Sequence, residues 1–69
     1  MMEKKEKEYL LMDPYVLLSL VNTKLRNDYH SLESLCDDLG FDLQELILKM
    51  KSIGYAYNVE MRQFKLLSN

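Results

Sequence analysis

The chain has 69 residues, 48% of them hydrophobic, with a formal net charge of -2 and a single cysteine. A chain of this length holds one small domain, which buries only about 60% of the surface its unfolded form exposes, and Cys36 has no second cysteine to pair with. Its apolar runs, such as residues 9–12 and 16–18, are far shorter than the roughly 18 residues a membrane span needs. No signal-peptide layout precedes them, so the expectation is a soluble, reduced, cytoplasmic protein.

Residues 1–8 alternate Glu and Lys around no apolar anchor and read as a disordered, charged leader, leaving residues 9–69 as a single domain. Tyr9-Leu10-Leu11-Met12 is short and apolar, and is expected to add a third strand to the C-terminal hairpin. Asp13-Pro14 then starts a helix, Asp as N-cap and Pro at the first helical position, where its missing N–H costs nothing. Met12 and Leu17 bracket that cap as a hydrophobic staple, and the helix is expected to run to about Arg26 or Asn27. Leu17, Leu18, Val21 and Leu25 form one stripe on it. Val16 and Leu20 lie outside that stripe and widen the apolar arc to about 200°.

Asn27 to His30 is a polar break, and Ser31 caps a second helix that carries Leu32, Leu35, Cys36 and Leu39 on one face. Gly40 stands where a left-handed residue ends a helix. Asp42 and Glu45 follow in capping-box spacing, with Phe41 and Leu46 as a staple. The third helix is expected to bury Leu43, Leu46, Ile47, Met50 and Ile53 and to end near Gly54. Alternation in Tyr55-Ala56-Tyr57 and again in Phe64-Lys65-Leu66 makes a hairpin. Pairing Asn58 with Gln63 puts Tyr57 opposite Phe64 and Tyr55 opposite Leu66, all on one face that the helices can cover. The fold class is therefore mainly α with a small β-hairpin, a three-helix helix-turn-helix core with a C-terminal wing.

Met12-Asp13-Pro14-Tyr15, the continuation through Leu17-Leu18-Ser19-Leu20-Val21-Asn22, and Ile53-Gly54-Tyr55-Ala56-Tyr57-Asn58 with Gln63-Phe64 occur together in one order. In these motifs, over about residues 12–66, the chain resembles a family of very short bacterial proteins known as a domain of unknown function. That resemblance implies no activity, cofactor or site residue. More loosely, Cys36 and Gly40, with Leu46, Met50 and Gly54, resemble the turn and packing positions of the winged-helix class.

A helix-turn-helix reads DNA when its second helix presents polar side chains to base edges and cations to phosphates. Gln44, Lys51, Arg62 and Lys65 are the candidate DNA contacts here. Against them stands an acidic block: residues 31–42 hold Glu33, Asp37, Asp38 and Asp42 with no cation, and affinity for a duplex rests largely on cation contacts. Leu48 falls in the middle of the would-be reading face. Together with Val16 and Leu20 it is the candidate protein interface, for a partner protein or a second copy of the chain. Catalytic, cofactor and metal residues are expected to be none. One Cys and one His cannot supply four zinc ligands, Cys36 lies on an apolar helix face, His30 is expected to face solvent, and two glycines make no phosphate loop. Asn22 is expected to face solvent or to bond a loop carbonyl, and no small-molecule substrate is evident. The expected function is a non-enzymatic protein-interaction or dimerisation module, the alternative a DNA-binding transcriptional regulator.

Overall fold

A computed structural model describes residues 9–67; the charged leader expected over residues 1–8 lies outside them. Three helices, α1 (Pro14–Asn27), α2 (Leu32–Leu39) and α3 (Leu43–Lys51), precede an antiparallel hairpin of β1 (Tyr55–Asn58) and β2 (Gln63–Leu66). The layout is winged-helix-like.

Each helix starts on the side chain expected for it. The Asp13 carboxylate accepts from the N–H groups of Tyr15 and Val16, Ser31 Oγ from Ser34, and Asp42 from Glu45. Each bond satisfies backbone donors that an isolated helix leaves orphaned. Gly40 ends α2 at φ +76° and Gly54 turns the chain into β1 at φ +87°, both in the left-handed region where a side chain is strained. The capping box at α3 is shared with a distant residue. Glu45 N–H reaches Asp42, but the N–H of Asp42 donates to the hydroxyl of Tyr9 at 2.7 Å.

That bond anchors the N-terminal end of the described chain. Residues 9–11 form a 3-10 turn, closed by a bond from Met12 N–H to the Tyr9 carbonyl, and not a third strand. The sheet has two strands among the described residues. Tyr9 is 6% exposed and stacks on Phe41 with ring centroids 4.0 Å apart, while the Leu10 carbonyl accepts from Lys49 Nζ. Burying a large ring against the helix-turn-helix, with its hydroxyl partnered, gains more than one short edge pairing would.

The core comprises Leu17, Leu18, Val21 and Leu25 of α1, Leu32, Leu35 and Cys36 of α2, Leu46 and Met50 of α3, Phe64 of β2, and Tyr9. Leu43, Ile47 and Ile53 are half-buried around it, Ile53 in the turn that follows α3.

The hairpin pairs Tyr55 with Leu66, Tyr57 with Phe64 and Asn58 with Gln63, as the alternation predicts. Its inner face is only half covered: Phe64 is 2% exposed and meets Tyr57 edge to face, but Leu66 is 62% exposed. The helices cover the end of the face nearest the loop and stop short of Leu66.

One polar contact fixes where the hairpin sits. Leu67 N–H bonds the Gly54 carbonyl, so by the alternation of an antiparallel ladder Phe64 turns its own N–H and C=O away from β1. Asn22 meets both: its Oδ1 accepts from Phe64 N–H at 2.7 Å and its Nδ2 donates to the Phe64 carbonyl at 3.1 Å. The Asn22 carbonyl in turn accepts from Gln63 Nε2 at 2.9 Å. A carboxamide carries the same donor and acceptor as a peptide group, so Asn22 completes the open strand edge from the middle of α1. It neither faces solvent nor bonds a loop carbonyl.

Two substitutions test this frame. Asn22→Leu keeps the size but leaves two half-buried groups of Phe64 without partners, and is expected to lower stability by about 2–3 kcal/mol, seen as a lower urea midpoint; a loss under about 0.5 kcal/mol would contradict the assignment. Tyr9→Phe is expected to cost about 1 kcal/mol and Tyr9→Ala about 3 kcal/mol or more, so equal losses in the two variants would show that the hydroxyl, and not the ring, holds the turn down.

Candidate functional site

On α1, Val16 and Leu20 stand one helical turn apart, outside the buried stripe, and remain 56% and 37% exposed. Leu48, four residues after Gln44 and three before Lys51 on α3, is 63% exposed. Neither Tyr9 to Met12 nor Leu66 and Leu67 buries these three side chains; Leu66 and Leu67 are themselves exposed. The N-terminal end of α1 adds two more exposed apolar side chains, Leu11 and Tyr15.

The outward residues of α3 are Gln44, Leu48 and Lys51, beside the exposed cap Asp42. Lys49 is half-buried and donates to Leu10, which leaves Lys51 as the cation at the helix's outer face. Glu33, Asp37 and Asp38 are exposed on the neighbouring α2. Asp38 accepts a hydrogen bond from the Tyr29 hydroxyl, and that bond, ahead of desolvation, raises the tyrosine's pKa.

The other two candidate DNA contacts, Arg62 and Lys65, are grouped differently. With Arg26 from the last turn of α1 they line an open hollow of about 300 Å³, walled by Leu25, Met61 and Gln63. Gln44 and Lys51 do not line it. Arg26 is the member of this group that sequence reasoning missed, because 36 residues separate it from Arg62 and no spacing rule joins them.

Among the described residues no three His, Cys, Asp or Glu side chains come together in a way that could hold a metal ion. His30 is exposed, and Cys36 is a buried free thiol. Among the described residues no helix is long and apolar enough to cross a membrane.

The three-helix core, the turn from Cys36 to Gly40 and the C-terminal hairpin define a small winged-helix-like domain. The model of the family described as "Domain of unknown function (DUF4250)" matches residues 11–64, most of the chain, and the protein belongs to that family. No curated protein and no solved structure matches it. Tyr9 and Leu10, which hold the N-terminal turn against the helix-turn-helix, precede the matched stretch.

Burial, and after it the nearby carboxylates Glu33 and Asp42, pushes the Cys36 thiol from its ordinary 9.0 up to about 11. The thiolate is the reactive species, so at pH 8 its population in the folded protein falls about a hundredfold below that of a free cysteine. A group with a raised folded pKa loses stability as pH rises: the unfolded thiol ionises above pH 9 while the folded one holds its proton to about 11. Alkylation by iodoacetamide at pH 8 should therefore be at least about a hundredfold slower in the native protein than in denaturant. Comparable rates would remove Cys36 from the core.

Proposed function

We propose that this domain is a non-enzymatic protein-interaction module that works through Val16, Leu20 and Leu48, with a second copy of the chain as its first partner. One observation carries the reading: three branched aliphatic side chains remain exposed on helices whose core-facing stripes, Leu17, Leu18, Val21 and Leu25 on α1 and Leu46 and Met50 on α3, are buried. In a chain this short, leaving them partly exposed forgoes burial worth on the order of 1 kcal/mol each, least for Leu20. The acidic residues of α2 support the same reading, since they disfavour phosphate on the helix-turn-helix face and suit a protein surface.

The second reading is a DNA-binding regulator, and the exposure of Gln44, Lys51, Arg62 and Lys65 favours it. It requires duplex binding that falls steeply with salt and weakens in Lys51→Glu and Arg62→Glu.

Sedimentation at micromolar concentration tests the first reading. Self-association weakened at least about tenfold by Leu48→Glu or Val16→Glu is expected, because each buries a carboxylate in an apolar contact. Monomer stability should move by no more than about 0.5 kcal/mol, since both sites are exposed. A wild-type chain that stays monomeric and is unaffected by Leu48→Glu would count against the dimer.

A further inference from the structure

The hollow between the end of α1 and the hairpin collects positive charge that the fold itself does not use. Arg26, Arg62 and Lys65 arrive from a helix end, a loop and a strand, and none forms an ion pair among the described residues. No carboxylate lines the hollow. Bringing three cations to one rim costs repulsion, which an anion seated between them would reverse. We propose that this hollow binds a small phosphate-class anion, gripped by the guanidinium groups of Arg26 and Arg62 and the ammonium of Lys65.

Three features support a built site. Arg62 holds φ at +55°, a conformation glycine takes at lower cost, so an arginine kept there is strained. The loop that presents it is tied at several points. The Asn58 carbonyl accepts from Arg62 N–H at 2.8 Å and its Oδ1 from Met61 N–H at 2.9 Å. Gln63 Nε2 then joins the Arg62 carbonyl to the Asn22 carbonyl of α1, at 2.9 Å each. The two walls are thus clamped together before any ligand arrives. Finally, planar guanidinium forks match phosphate oxygens in pairs, and a volume of about 300 Å³ suits phosphate or pyrophosphate with its water.

Two features oppose an anion. Asp28 lines the adjoining hollow beside Tyr29 and His30, although Lys24 lies 4.0 Å from it, and α1 directs the negative end of its dipole toward this region. Three full cations outweigh one paired carboxylate and about half a charge of dipole. This surface is distinct from the apolar positions of α1 and α3, so the proposal stands or falls apart from dimerisation.

The same phosphate chemistry could come from a free anion or from a nucleic-acid backbone, and one titration separates them. Amide and arginine side-chain NMR signals of the full chain would be followed at low ionic strength against inorganic phosphate, pyrophosphate, a short DNA duplex, and sodium chloride at matched ionic strength. The expected result is saturable shifts confined to Arg26 and residues 61–65, tighter for pyrophosphate than for phosphate. Arg26→Gln and Lys65→Gln should each weaken binding about tenfold. Arg62→Gly should do the same while raising the melting temperature, because it relieves the left-handed strain; this variant keeps the test informative if the others perturb folding. Shifts that follow chloride, or variants that bind like the parent, would overturn the proposal. So would duplex binding tighter than pyrophosphate with shifts that reach Gln44 and Lys51.

Discussion

The architecture depends on one side chain that behaves as backbone. Asn22, in the middle of α1, gives its carboxamide to the outer edge of β2, accepting from and donating to Phe64. A two-stranded hairpin is barely stable alone in water, and its open edge would otherwise leave polar groups against the helical layer. With that edge closed by α1, Phe64 can be driven into the core without stranding its own peptide groups. The positions of the hairpin loop, of Gln63 and of Arg62 follow from the same contact.

A second long-range tie closes the opposite side. Tyr9 lays its ring on Phe41 and offers its hydroxyl to Asp42, so the start of α3 is held from outside the helix-turn-helix. Lys49 on α3 reaches the Leu10 carbonyl in the same turn. Helix starts are weak points because their first N–H groups lack partners. Here one of them is satisfied by a residue that lies beyond the family's matched stretch, which makes the N-terminal turn part of the fold and not an appendage.

The surface left over divides by chemistry. Carboxylates occupy α2 and the cap of α3, aliphatic side chains stand out from α1 and α3, and cations gather where α1 ends beside the hairpin. A winged helix that reads DNA concentrates its cations on the reading helix and the wing together. In this domain the wing's Arg62 and Lys65 are instead drawn toward Arg26, and one of the two lysines on α3 is occupied by Leu10. The fold class is thus a poor guide to the ligand, and the distribution of side chains is the better one.

What the sequence determined by itself was short-range. The caps at Asp13, Ser31 and Asp42 act over two or three residues, the glycine turns act on their own backbone, and the hairpin register follows from alternation about a central loop. Each is set by neighbours a few bonds away, so pattern alone can read it. Val16, Leu20 and Leu48 were legible as off-stripe residues for the same reason. Tertiary structure decided the contacts that join residues more than 30 positions apart: Asn22 with Phe64, Tyr9 with Asp42, and Arg26 with Arg62 and Lys65. It also decided how far the helices cover the hairpin, leaving Leu66 in water where alternation had placed it inside. Such groupings carry no periodic signature, because an amide or a hydroxyl acquires its partner, and cations gather at one hollow, only once packing has brought distant segments together.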